Sequence, residues 1–195
     1  SANPERSVYV GARATESELR QLNTSGRLGE ARVLYFATHG LLAGELQGVT
    51  QPALVLTPPS HTSSGDNDGL LMMDEVLHMK LPHTRWVILS ACNTGGSDNS
   101  GEGLSGLARA FFYAGAKALL VSHWSVDDQA TRKLMTYVFH RYGQDRQVAP
   151  AEAVRQGMLA LLSESRTGHQ PQFAHPYAWA SFFLVGEGVG QGAGT

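Results

Sequence analysis

The chain has 195 residues, 42% hydrophobic and 16% charged, the balance of one globular domain able to bury a core without disulfide or metal staples. Its formal net charge of −2 gives no electrostatic case for nucleic acid as a direct partner. No run of about 18 apolar residues is present to cross a membrane, and Ser1–Arg6 is polar, without the apolar stretch of a signal peptide. The expected location is cytoplasmic. The one cysteine excludes an internal disulfide and a cysteine-based zinc cluster.

Ser7–Gly11 (SVYVG) has the composition of a short strand. Thr15 and Glu18 fit a capping box that opens a helix to about Leu22. After a turn-rich stretch, Arg32–Thr38 (RVLYFAT) is apolar and β-rich, which predicts a buried strand. Ala53–Thr57 reads as another strand, Pro58–Asp68 as a loop, Gly69–Met72 as a brief strand and Asp74–Met79 as a short helix with acid at its positive end. Trp86–Ala91 is the next buried strand, followed by a polar, glycine-rich loop over Asn93–Gly103. Leu104–Tyr113 is a helix with Leu104, Leu107, Ala108 and Phe111 on one face, ended by Gly115. Ala118–His123 is a third buried strand. Asp127–Tyr142 repeats Ala130, Leu134 and Val138 every four residues, with Gly143 closing the helix. Pro150 stands at the first position of a helix reaching about Leu162; Glu164–His175 reads as a loop, Ala178–Val185 as a last strand, and 187–195 as a loose glycine-rich tail. Apolar strands alternating with helices predict a three-layer α/β/α sandwich around a mainly parallel sheet.

In such a sheet, function collects at the carboxyl ends of the strands. His39 and Cys92 each follow one of the buried strands directly and stand 53 positions apart, room for a crossover containing a hairpin. If the strands are neighbours, about 4.8 Å apart, imidazole and thiol converge on one pocket. The thiolate is the nucleophile, and an ordinary thiol has a pKa of about 8.5, so a nearby imidazole that takes its proton makes it reactive. Attack on a peptide carbonyl builds an oxyanion, for which the N–H groups of Gly40 and Cys92 are the candidate donors. The same residues also fit separate duties, His39 ending a strand and Cys92 filling space.

Other motifs have simpler explanations. Gly101–Gly106 matches GxGxxG, but about ten loop residues separate it from the strand, whereas a dinucleotide site needs the first glycine at the strand end. Close packing of the following helix accounts for these glycines, and no cofactor is expected. The eight histidines include no HExxH pattern; His78 and His83 read as surface residues, His123, closing a strand within reach of the pocket rim, as a core or hydrogen-bonding residue instead, and His175 as the residue fixing the turn at Pro176. No metal is expected.

Several segments in order, VLYFATHG (33–40), ALVLT (53–57), DGLLMMDEV (68–76), VILSACNTGG (87–96), GEGLSGLARAFFYAGAKALLVSHWSVDDQAT (101–131) and HPYAWASFFLVGEG (175–188), resemble the CHAT domains. These are caspase-like, separase-related peptidases of the caspase clan. The resemblance spans about residue 8 to 188 and implies a caspase-like fold and a cysteine endopeptidase acting on protein or peptide substrates, with His39 and Cys92 as the catalytic pair. Met72-Met73 departs from the Thr-Ala that often precedes the short helix, at a cap and away from the chemistry. The family usually has a further strand and helix upstream of the segment at Ser7–Gly11. The expectation is therefore a C-terminal portion of a larger protein, with an open sheet edge at Ser7–Gly11 and with regulation by upstream helical repeats or another chain. Trp124 followed by Asp127 and Asp128 resembles the separase segment whose aspartate meets a substrate arginine. That implies a substrate pocket with Asp128 as the guanidinium partner and a preference for a basic residue on the amino side of the cut. Of the two acids, Asp127 is the better helix-cap candidate. A non-catalytic interaction module is the alternative reading.

Overall fold

Two apolar runs, Trp86–Leu89 and Ala118–Ser122, are buried at every position, as strands inside a helix-covered sheet must be. The computed structural model describes residues 7–59, 67–90, 103–122, 124, 127–145, 147–167 and 171–187. Its elements in chain order are α1 (Glu16–Thr24), β1 (Val33–Phe36), β2 (Gly40–Leu41), β3 (Ala53–Val55), β4 (Leu70–Met72), α2 (Met73–Leu77), β5 (Trp86–Leu89), α3 (Gly103–Ala114), β6 (Ala118–Ser122), α4 (Asp128–Gln144), α5 (Pro150–Arg166) and β7 (Phe182–Gly186). The main sheet has the order β1-β5-β6-β7; β1, β5 and β6 are parallel, and β7 runs antiparallel to β6. The crossover from β1 to β5 contains a second, antiparallel sheet of order β2-β3-β4.

Alternation along the strands divides the core. Val87, Leu89, Leu119 and Val121 face the layer of α1, α2, α3 and the small sheet, where they pack with Leu22, Leu54, Val76 and Phe111. Trp86, Ile88, Ala118 and Leu120 face α4 and α5 and pack with Leu134, Val138, Val154 and Leu161. Each fully buried side chain of this kind contributes about 1.5–3 kcal/mol relative to exposure. The three-layer α/β/α reading of the sequence therefore holds.

Local signals place the ends. Thr15 caps α1, its hydroxyl accepting from the Glu18 N–H at 3.2 Å. The Met72 N–H at the start of α2 donates to the Glu75 carboxylate at 2.9 Å, so the helix start is capped from within whatever side chain stands at Met72. Gly115 ends α3 at φ 113°, where a Cβ would come within 2.9 Å of the Leu81 carbonyl oxygen, so only glycine fits. Pro150 sits at the first turn of α5, as expected.

Five sequence expectations are corrected. Ser7–Gly11 is not a strand: Val8 and Val10 are exposed, and Gly11 begins a single 3-10 turn, Gly11–Arg13, held through the Thr57 hydroxyl bond to the Gly11 carbonyl. Among the described residues the sheet edge is instead β1, which is half-buried rather than buried, with β5 paired to one of its sides. Gly143 lies inside α4 and does not close it. Helix α5 runs on to Arg166 through a stretch read as loop, because Glu164 ties its last turn to Lys133 and Tyr137 of α4. The last strand begins at Phe182, since Pro176–Ala178 forms a 3-10 turn ahead of it. The tail beyond 187 lies outside the described residues.

Candidate active site

The register of the central strands sets the site. Phe36 pairs with Leu89, and the Ser90 N–H donates to the Phe36 carbonyl at 3.0 Å, so β1 and β5 end side by side. His39 stands three residues beyond Phe36, and Cys92 stands three residues beyond Leu89 in the sequence. Cys92 itself, like His123, lies outside the described residues.

His39 is exposed and its backbone is clamped. The Thr38 hydroxyl donates to the Val55 carbonyl, and the Val55 N–H donates to the His39 carbonyl at 2.8 Å. That bond fixes the β2–β3 ladder so that Gly40, opposite Leu54, occupies a non-hydrogen-bonded position, and its N–H points away from β3. A backbone donor beside the imidazole is what an oxyanion requires.

His39 lines a groove of about 910 Å³ together with Ala37, Thr38, Ser90 and one flank of α4. Asp128 lines this groove as well, at the first turn of α4. Asp127 has another duty: its carboxylate caps α4 by accepting from the Gln129 and Ala130 N–H groups, both at 2.9 Å. Trp124 is half-buried and contacts the 3-10 turn before β7, its indole N–H donating to the Tyr177 carbonyl at 3.1 Å and its ring stacking on Tyr177 at 5.9 Å. Asp127 thus fixes the start of α4, from which Asp128 lines the groove.

The groove has members that the sequence reading did not single out. Tyr35 lines it, in ring contact with Phe139 at 5.6 Å and with its hydroxyl bonded to that of Ser90. Burial holds the Tyr35 phenol above its ordinary pKa, opposed by the Ser90 bond, so it is a neutral group here. Asp128, Arg132, Thr136 and His140 recur every four residues along the wall. That spacing was visible beside the buried Ala130, Leu134 and Val138 row, but a polar row on a helix reads as solvent-facing unless the groove is known.

The other motifs settle into the fold. Gly106 lets α3 close on α2, for a Cβ there would come within 2.9 Å of the Met73 sulfur; Gly101 lies outside the described residues. His78 ends α2 and shares a 2.7 Å hydrogen bond with the Asp74 carbonyl, and His175 starts the turn before the last strand by accepting from the Tyr177 N–H at 3.1 Å. Among the described residues, no helix is long and apolar enough to cross a membrane.

Comparison with known proteins agrees with this architecture. Tetratricopeptide repeat protein 28 of Homo sapiens is 32% identical over 120 residues, and its Mus musculus counterpart is 30% identical over 120 residues. Each match covers 62% of this chain but 4% of the relative, so the chain spans a small part of those proteins' length. The family model for the CHAT domain matches residues 1–187. With nearly the whole chain covered, this protein belongs to the CHAT domain family, a caspase-like family.

Proposed function

We propose that this CHAT domain is a cysteine endopeptidase using Cys92 and His39. His39 takes the thiol proton, and the Cys92 sulfur bonds to the scissile carbonyl carbon. The oxyanion is held by the N–H groups of Gly40 and Cys92, and His39 returns the proton to the amine as the C–N bond breaks. Water then hydrolyses the thioester, releasing the carboxylate product and the free thiol. The observation supporting this most is that Phe36 and Leu89 are paired, with His39 three residues beyond one in the sequence and Cys92 three beyond the other, and that His39 lines the groove. Asp128 binds an arginine or lysine on the amino side of the cut through charge-assisted hydrogen bonds. The names of the relatives support a second element, a helical-repeat region or another chain that regulates cleavage. A lone thiol enzyme suits the reducing cytoplasm.

The same names carry no peptidase term, which favours a rival, an interaction module without turnover. Peptide-library profiling decides between them. The peptidase reading expects cleavage after Arg or Lys by the wild type, none by Cys92→Ala, and at least a tenfold loss of the basic preference in Asp128→Ala. Cleavage by Cys92→Ala at the wild-type rate rejects the mechanism. A preference for Asp or Leu, or an Arg preference untouched by Asp128→Ala, rejects the pocket assignment.

A further inference from the structure

We propose that Tyr35 is a second specificity residue of the groove, holding an apolar side chain of the substrate against its ring beside Ala37 and Phe139. This rests on the peptidase reading and adds to it a contact away from the cut. On the α4 side of the sheet, Trp86 and Ile88 of β5 are wholly buried. Tyr35, on the neighbouring strand and the same side, is 38% exposed, and Ala37 two residues on is exposed as well. Both line the groove. The Tyr35 ring is nevertheless held in place. It meets Phe139 at 5.6 Å, Phe139 meets the buried Trp86 at 6.5 Å, and the Tyr35 hydroxyl is bonded to that of Ser90. An aromatic ring fixed by its neighbours and open to a groove loses little freedom when a ligand covers it, and such rings dominate recognition sites.

What else lines the groove identifies the occupant. His39 and Asp128 are in the same groove of about 910 Å³. A peptide that brings its scissile bond to His39 and its basic side chain to Asp128 already lies in it, and its other side chains meet the rest of the lining. Phe139 stands eleven residues after Asp128 on α4, a rise of about 16 Å. About five residues of extended chain span that distance. A side chain within about six residues of the basic one therefore reaches Tyr35, whichever way the chain runs. Tyr35, Ala37 and Phe139 offer carbon surface there, while Asp128, Arg132, Thr136 and His140 are exposed polar groups on the α4 wall. Apolar surface with a few polar groups around it is the usual make-up of a ligand site. The side chain that fits is leucine or another of its kind.

The test measures binding, so it does not depend on turnover. Fluorescein-labelled peptides of one length carry a single Arg in an alanine and serine background, with one Leu moved through every position within six residues of the Arg on either side. They are titrated by anisotropy against Cys92→Ala, alone and combined with Tyr35→Ala, Tyr35→Phe or Ala37→Glu. One position is expected at which Leu binds about three- to tenfold more tightly than Ala, a gain suited to partial burial of one apolar side chain. Tyr35→Ala abolishes that gain, and Tyr35→Phe, which keeps the ring and loses the bond to Ser90, retains it. Ala37→Glu reverses it, so that Lys at the same position binds better than Leu, and the reversal itself requires a folded groove. No position favouring Leu, a gain that survives Tyr35→Ala or is lost in Tyr35→Phe, a Leu preference unchanged by Ala37→Glu, or no binding by any peptide overturns the inference. Cleavage of the same peptides by the wild type is scored separately. A Tyr35-dependent Leu gain without cleavage counts against the peptidase and leaves the Tyr35 assignment standing; cleavage without such a gain does the opposite.

Discussion

Glu16 is 1% exposed, an unusual place for a carboxylate, and its partners explain why it is tolerated. It accepts from the Gly69 N–H and from Arg20 at 3.3 Å, and Arg20 in turn reaches Glu75 of α2 at 2.6 Å, so one buried acid links α1, α2 and the turn before β4. Burial nevertheless raises its pKa, with the neighbouring Glu75 and Asp68 charges adding to the effect, against the Gly69 bond and Arg20. The folded protein therefore holds this proton more tightly than the unfolded chain. Stability from this group is greatest at low pH and falls as pH rises from the ordinary carboxylate value of about 4.5 through the raised one. Glu16→Gln keeps an acceptor for Gly69 and carries no charge. Melting curves from pH 4 to 8 are expected to show a smaller fall for the variant and, at pH 7, a midpoint equal to the wild type or up to about 2–4 °C higher. A variant less stable at pH 7 whose stability falls more steeply with rising pH than the wild type's would mean that the Arg20 ion pair, not burial, dominates.

At the scale of elements, α4 and α5 pack through a glycine. A Cβ on Gly157 would come within 2.6 Å of Val138 Cγ2 and 3.3 Å of the Val138 backbone nitrogen. Val138 is fully buried and β-branched, so it has little freedom to yield. Gly157→Ala gains about 1 kcal/mol of helix propensity and is expected to lose more in overpacking, for a net destabilisation of about 1–2 kcal/mol in urea unfolding. Adding Val138→Ala recovers part of the overpacking loss. A Gly157→Ala protein at or above wild-type stability contradicts this packing. The same pair of helices shows why element ends were harder to read than element types. The last turn of α5, Ser163–Arg166, has the composition of a loop, and tertiary contacts from Glu164 keep it helical. Ser7–Gly11 has the composition of a strand but pairs with neither sheet, and composition alone carries no information about pairing.

For the whole molecule, the layer order was legible because short continuous apolar runs, the mark of strands covered on both faces, alternate with helical stretches such as the one whose Ala130, Leu134 and Val138 recur every four residues. His39 was legible because a histidine at the end of an apolar strand must emerge at the functional edge of a parallel sheet. The α4 wall was not, since it becomes a groove only through the position of β1 at the sheet edge, which no local pattern encodes. The central claim, that His39 activates Cys92, is tested most directly by the rate of iodoacetamide alkylation against pH. Cys92 is the only cysteine, so the signal belongs to one residue. The account predicts alkylation at pH 6–7 at least about tenfold faster than for an ordinary thiol of pKa about 8.5. It also predicts that His39→Ala, folded by circular dichroism, returns to the ordinary profile. A wild-type thiol with an ordinary or slower profile, unchanged by His39→Ala, would contradict it.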